Sequence, residues 1–188
     1  NANHDLAAYF AGRLDVQQPT APQLLTGLNI PGNVIGASSQ GDTVYTFETI
    51  WDANYTRQTQ RLYVLQPQST RMSLVGTLQF GNGQESVSIP VIDGEKGILI
   101  RQPWQTSSCG EAPMFTAQML DLHNPTAPAL AGKLSFVGYG DVLALKGNYA
   151  LLRADSGETV VALDVSTPNA PSVAASSITP GYTQQTRL

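Results

Sequence analysis

Three stretches of this chain are nearly identical, and they decide the fold. They read LDVQQPTAP at residues 14–22, LDLHNPTAP at 120–128 and LDVSTPNAP at 163–171. A degenerate fourth copy reads VLQPQ at 64–68 and is followed by MSLVG at 72–76, with Val64 aligned to Asp15. Successive copies are therefore 49, 57 and 43 residues apart. Repeats of this length are typical of propeller blades or of another stacked array of small sheets.

The segments between the copies have the composition of strands. Residues 43–51 alternate and are rich in β-branched and aromatic side chains. Three short apolar runs, at 96–100, 149–153 and 159–165, are bounded by Gly, Asn or Asp, as buried strands are. The second unit is expected to contain one strand over 86–92.

We therefore predict an all-β protein built from propeller blades of four antiparallel strands. Three full units are expected at about 24–65, 73–122 and 129–165, with single flanking strands at 9–16 and 172–178. Residues 1–8 would form an N-terminal extension and residues 179–188 a C-terminal tail.

The repeated motif has a structural explanation. Its aspartate lies between two apolar residues, so its carboxylate points to the opposite face and can accept hydrogen bonds from the following turn. Its prolines fix φ where the chain is expected to leave one sheet for the next. These turn residues are Asp15, Asp121, Asp164, Pro19, Pro125 and Pro168. The alternative is a ring of carboxylates that binds a cation, which Val64 would leave incomplete.

The motif and the strands before it resemble the LVIVD repeats of β-propellers. The best matching segments are GNYALL at 147–152 and VVALDV at 160–165. The resemblance covers residues 9–178 and extends to the wider group of secreted bacterial proteins with a WD40-like propeller. It implies a propeller fold. Because three units and two single strands are fewer than a closed propeller needs, we expect the chain to be part of a larger propeller, the other possibility being an incomplete four-bladed ring.

Charge and composition exclude some partners. The chain has 10 basic and 14 acidic residues, a net charge of -4 and a single cysteine, so it has no intrachain disulfide. It lacks the basic surface that nucleic acid or an anionic membrane requires, and it contains no transmembrane segment. Few lysines and many Thr, Gln and Asn residues suit an exported protein, in the periplasm, on the cell surface or outside the cell.

Two long loops occupy equivalent places in the first two units, at 52–59 and 103–115, and are expected to project from the same face. Aromatic residues on long loops of a rigid scaffold are typical of recognition sites. The candidate binding residues are Trp51, Asp52, Asn54, Tyr55, Trp104 and Glu111. The expected ligand is a protein or a glycan. In the alternative interpretation, Trp51 and Trp104 only cover the core.

The first loop also has some features of a calcium site. Asp52, Asn54 and Thr56 are spaced two apart, as oxygen ligands are in calcium loops. Arg57 stands where such loops have glycine, and the closing acid is absent. We therefore predict no cofactor, with calcium as the alternative.

The sequence contains no recognisable catalytic motif. Cys109 has no identifiable base beside it, so Asp52 and Glu111 are the only candidates for acid–base chemistry. We expect a non-enzymatic binding or scaffold module. The alternatives are a calcium-assisted hydrolase or lyase that uses these loop carboxylates, and a purely architectural part whose partner is the rest of the same propeller.

Overall fold

The chain folds into antiparallel β-sheets. The computed structural model describes residues 9–15, 18–54, 58–68, 71–81, 83–103, 113–154 and 159–178. These residues contain strands and no helix, which confirms the all-β prediction. The strands are β1 Tyr9–Asp15, β2 Gln23–Ile30, β3 Asn33–Ala37, β4 Val44–Trp51, β5 Gln58–Pro67, β6 Met72–Phe80, β7 Glu85–Val87, β8 Val91–Asp93, β9 Lys96–Pro103, β10 Met114–Asp121, β11 Ala129–Val137, β12 Asp141–Lys146, β13 Tyr149–Ala154, β14 Thr159–Asp164 and β15 Ser172–Ile178.

The described strands form four sheets, which follow one another along the chain. Sheet I contains β1 and β2, and sheet II has the order β3-β4-β5-β6. Sheet III has the order β7-β9-β10-β11, with β8 also paired to β9, and sheet IV has the order β12-β13-β14-β15. Every pairing is antiparallel. None of these sheets closes into a barrel, and their arrangement as propeller blades stays a prediction.

The repeated motif is a hairpin loop within a sheet, which corrects the prediction that it separates two sheets. Asp121 pairs with Ala129 across the motif, so β11 belongs to the same sheet as β10. The corresponding loops join β1 to β2 and β14 to β15. The predicted flanking strands therefore each have a partner, and each sheet ends one strand later than its sequence unit. Proline suits a turn within a sheet as well as a seam between sheets, so the motif alone could not distinguish them.

The copies of the motif occupy the same register in all four sheets. In sheets I, III and IV the leucine before the aspartate pairs with the second residue of the sheet's last strand. In sheet II, Leu65 pairs with the third residue, because the pairing there extends one residue further, to Pro67 and Met72. These pairs are Leu14 with Leu24, Leu65 with Leu74, Leu120 with Leu130 and Leu163 with Val173. In the degenerate copy the residue after Leu65 is Gln66, so Gln66 takes the place of the aspartate, and the alignment of Val64 to Asp15 is wrong. Val64 instead lies one residue before the motif, with its side chain in the core.

The turn chemistry of the motif agrees with the prediction. Asp121 accepts a hydrogen bond from the N–H of His123 at 3.1 Å, and Asp164 accepts one from the N–H of Ser166 at 2.9 Å. Asp15 is described only through the backbone of β1. In each of the three full copies the first proline is the second residue of a four-residue turn closed by a backbone hydrogen bond, as its fixed φ favours. These turns are 18–21, 124–127 and 167–170.

The core lies between the faces of neighbouring sheets. In β9, Leu99 packs against sheet II, whereas Ile98 and Ile100 pack against sheet IV. Alternate residues of a strand point to opposite faces, so an unbroken apolar run such as this one is what a sheet covered on both sides requires. Sheet III is therefore the middle layer of the described structure.

Strands β3, β8 and β12, which lie at the same edge of sheets II, III and IV, meet one another. Strand β3 contacts β8, and β12 contacts β8 and β9. Gly36 of β3 lies against Ile92 of β8, where an added Cβ would be 2.8 Å from Ile92 Cβ. We call this edge of each sheet the inner edge, and the edge formed by β6, β11 and β15 the outer edge.

Candidate functional site: the loop end of sheets II and III

Polar contacts join the short turns at one end of the sheets. Glu95, in the β8–β9 turn, accepts hydrogen bonds from the N–H and the hydroxyl of Ser39, at 3.0 and 2.5 Å, in the β3–β4 turn. Asp93 accepts a hydrogen bond from the N–H of Gly147, at 2.7 Å, in the β12–β13 turn, and one from Lys146 Nζ at 3.2 Å. We call this the turn end.

Carboxylates at the turn end are kept charged by these contacts. Hydrogen bonds from Ser39 lower the pKa of Glu95, and the N–H of Gly147 is the main cause of the lowered pKa of Asp93. The N–H groups of His123 and Ser166 likewise lower the pKa of Asp121 and Asp164. These four groups hold turns in place, and their charges already have partners.

The described strand ends that flank both predicted loops lie at the opposite end, which we call the loop end. Strands β4 and β9 both start at the turn end, so their last residues, Trp51 and Pro103, lie at the loop end of sheets II and III. This direction follows from the antiparallel order of each sheet. The expectation that the two loops project from one face stays a prediction.

The candidate residues of the first loop are partly described. Trp51 is the last residue of β4, pairs with Gln58, and its side chain is 40% exposed. Asp52 is half-buried and Asn54 is exposed in the turn that follows. Trp51 therefore presents surface to solvent and does not only cover the core.

The other candidates, Tyr55, Trp104 and Glu111, lie outside the described residues, as do Arg57 and Cys109. The proposed pairing of Asp52 with Glu111 and the calcium loop remain predictions for that reason. Within the described ranges, no group of three or more His, Cys, Asp or Glu residues could hold a metal ion.

Sequence reasoning missed three apolar residues at the loop end of sheet III. Met114 pairs with Val137, and Tyr139 follows two residues later. Their side chains are 45%, 57% and 51% exposed, respectively. The N–H of Gly138 donates to the carbonyl oxygen of Pro113 at 2.6 Å and fixes the chain beside the second loop. A tyrosine between two glycines gives no periodic signal, so only the folded structure reveals this patch.

Two ion pairs lie towards the loop end of sheets III and IV. Arg101 of β9 binds both carboxylate oxygens of Glu85, one of them from Nε at 3.1 Å. Arg153 donates to Asp141 at 3.1 Å. Each of these four charges therefore has a partner of opposite sign.

His123 lies at the other end and belongs to a turn. Its Nδ1 lies 2.9 Å from Asp121 Oδ1, the same oxygen that accepts its own N–H. The pair therefore helps to close the motif loop.

Comparison with known proteins adds no further assignment. No protein-family model and no curated protein matches the chain. The described part of the chain includes no helix that is long and apolar enough to span a membrane.

Proposed function

We propose that the protein is a non-enzymatic, exported binding module of the β-propeller type, which holds a protein partner at the loop end of sheets II and III. The observation that carries the proposal is the patch of Met114, Val137 and Tyr139 next to the second long loop, with Trp51 at the corresponding end of sheet II. Exposed aromatic and methionine side chains on a rigid scaffold are the residues enriched in the centres of protein interfaces.

A protein suits this surface better than a glycan. Two of the four exposed side chains are not aromatic, and Met114 and Val137 offer no flat ring for a sugar to stack on. Glu85 and Asp141 are bound by arginines, so they have fewer free oxygens to offer to sugar hydroxyl groups. Apolar and aromatic side chains at the centre match the usual anatomy of a protein interface.

The propeller arrangement is part of the same proposal. Three features of the sheets support it: the motif has one register in all of them, the middle sheet is covered on both faces, and the first strands meet at an inner edge. In a propeller the loop end would be one face of the disc, where loops of neighbouring blades combine into one surface.

The experiment compares variants at the two ends of the molecule. The protein is immobilised, and a partner from its native source is captured, identified and purified, and its affinity is measured. Tyr139→Ala and Trp51→Ala should each weaken binding about tenfold or more, as truncation of a central interface residue does. Tyr149→Ala is the matched control, because Tyr149 is 58% exposed at the turn end.

Two results would contradict the proposal. The first is that Tyr139→Ala and Tyr149→Ala change the affinity for the partner by the same amount. The second is that neither Tyr139→Ala nor Trp51→Ala changes the affinity. All variants replace exposed side chains, so their melting temperatures should stay close to that of the unmodified protein.

A further inference from the structure

A short motif in the first long loop is not explained by the proposed function. Residues 52–56 read DANYT, so Thr56 follows Asn54 at the second position, with Tyr55 between them. Asparagine, any residue except proline, and then serine or threonine form the acceptor motif for N-linked glycans. Bacterial enzymes of this reaction also require an acid two residues before the asparagine, and Asp52 supplies it. Tyr55 and Thr56 lie outside the described residues and contribute only their identity.

The acceptor asparagine is accessible at the end of a regular hairpin. Strand β4 ends at Trp51, which still pairs with Gln58 of β5, so residues 52–57 connect the two strands beyond their last pair. Asn54 lies in the turn after β4 and is exposed. Glycan attachment sites lie on the surface, because the sugar is bulky and the transferring enzyme must reach the asparagine. Asn54 meets this requirement in the folded chain.

Two other asparagines each have part of the motif. Asn124 is also followed at the second position by a threonine, but Pro125 stands between them. The side-chain oxygen of Asn124 accepts hydrogen bonds from the N–H and the hydroxyl of Thr126, at 3.1 and 2.8 Å, which holds these residues in a turn. Asn148 precedes a tyrosine, as in the motif, but the next residue is the buried Ala150, which has no hydroxyl. Both asparagines therefore serve as internal controls.

We propose that Asn54 is an N-glycosylation site, modified by a bacterial-type oligosaccharyltransferase after export of the chain. In this reaction, Nδ2 of Asn54 forms a bond with the first sugar carbon of a lipid-linked oligosaccharide diphosphate. The bond from that carbon to the phosphate oxygen breaks, the lipid diphosphate leaves with the electron pair, and the amide nitrogen loses one proton. The proposal rests on the export that the proposed function includes, and it does not depend on a protein partner.

The two flanking residues have separate roles in recognition by the enzyme. The carboxylate of Asp52 offers a charged acceptor for hydrogen bonds, and such bonds are stronger than those between neutral groups. The hydroxyl of Thr56 can both donate and accept a hydrogen bond. Both groups act on the enzyme that reads the motif, and the sugar is attached to Asn54 alone.

The experiment directs export of the full chain with an added signal peptide, in bacteria that contain an oligosaccharyltransferase and its lipid-linked oligosaccharide. Mass spectrometry of peptides from the purified protein measures the fraction of each asparagine that carries the glycan. Asn54 should be modified, whereas Asn124 and Asn148 should not be. An unmodified Asn54 in cells that do modify a standard acceptor protein would overturn the proposal.

Variants of the motif test each residue in turn. Asn54→Gln should abolish the modification. Thr56→Ala and Asp52→Asn should each lower the modified fraction at least about tenfold, because each removes a group that the enzyme binds. Thr56→Ser and Asp52→Glu are the matched controls, since they keep the hydroxyl and the charge, and both should stay modified. Equal modification within either pair would contradict the role given to that residue.

A second copy of the motif separates the effect of its sequence from that of its position. Residues 50–58 are repeated after Leu188, and the added copy should be modified in the unmodified chain and in every variant of the first loop. A variant that misfolds or is not exported would lose the glycan at both places. Modification of the added copy alone, with Asp52, Asn54 and Thr56 intact, would show that the loop does not admit the enzyme and would overturn the proposal.

Discussion

The N–H of Gly132 donates to the carbonyl oxygen of Pro168 at 2.9 Å, across the boundary between sheets III and IV. Through this contact, the motif turn of one sheet packs on the outer strand of the sheet before it. Gly76 of β6 lies in the same way against the turn that contains Pro125 and Pro128. The motif thus has two roles, since it closes a hairpin in its own sheet and docks that hairpin on the preceding sheet.

The first prediction concerns this contact between the motif turn and the outer strand. An added Cβ at Gly132 would be 2.6 Å from the carbonyl oxygen of Asn169, so the turn must shift to accept it. Gly132→Ala should lower the free energy of unfolding by about 1–3 kcal/mol, as overpacking does. Ala175 holds the corresponding place in β15 and is exposed, so Ala175→Ser is the control and should change stability by less than about 0.5 kcal/mol. Denaturant unfolding measures the stability of both variants. Equal changes in the two variants would show that the close contact at Gly132 is not important for stability.

A second prediction concerns the contact between turns at the turn end. Asp93→Ala leaves the N–H of Gly147 without its acceptor and should cost about 1 kcal/mol of unfolding free energy. Asp93→Asn keeps an acceptor oxygen and should restore most of that loss. If thermal unfolding shows the same loss for both variants, the contribution of Asp93 lies in its charge and not in this hydrogen bond.

The acid dependence of stability follows from the four carboxylates at the turn end. Their pKa values are lowered by folding, so each binds fewer protons in the folded than in the unfolded chain. Their contribution to the free energy of unfolding is complete above the pKa of the unfolded chain, near 4. It is lost as the pH falls through the lower pKa of the folded chain.

The melting temperature should therefore be steady from pH 6 to about pH 5 and fall steeply below about pH 4. The double variant Asp121→Asn and Asp164→Asn retains acceptor oxygens for both turns but no longer titrates at these positions. Its melting temperature should fall less steeply in acid than that of the unmodified chain. Identical slopes would show that these aspartates do not carry the acid dependence.

Replacing one buried hydroxyl group is expected to stabilise the protein. Thr46 is fully buried, and its Oγ1 has no hydrogen-bond partner among the described residues. Thr46→Val keeps the shape and removes the unsatisfied group, so it should raise the free energy of unfolding by about 1 kcal/mol. Thr49→Val, at an exposed position of the same strand, is the matched control and should have little effect. A loss of stability in Thr46→Val would reveal a partner for this hydroxyl.

Much of the local structure could be predicted because strands and turns depend on nearby residues. The alternation in β4, the apolar run in β9 and the aspartate-proline motif each specify an element on their own. The strand expected over 86–92 was wrong in one respect, because Pro90 has no N–H to donate and the strand is divided into β7 and β8.

The grouping of strands into sheets could not be predicted in the same way. The motif would look the same whether it separates two sheets or joins two strands of one sheet, and only the pairing of Asp121 with Ala129 distinguishes them. The patch at the loop end was missed for a related reason. Met114 and Val137 are distant in sequence and become neighbours only through the pairing of β10 with β11.

The central claim is that the sheets radiate from a common inner edge, and distances between spin labels test it most directly. With Cys109 replaced by Ser, labels at Val34 and Leu143 report on the inner strands of sheets II and IV. Labels at Leu74 and Val173 report on the outer strands of the same two sheets, and all four positions are exposed. A radial arrangement predicts a clearly longer distance for the outer pair than for the inner pair. Two equal distances of about 20 Å, as expected for sheets stacked flat at about 10 Å intervals, would contradict the account.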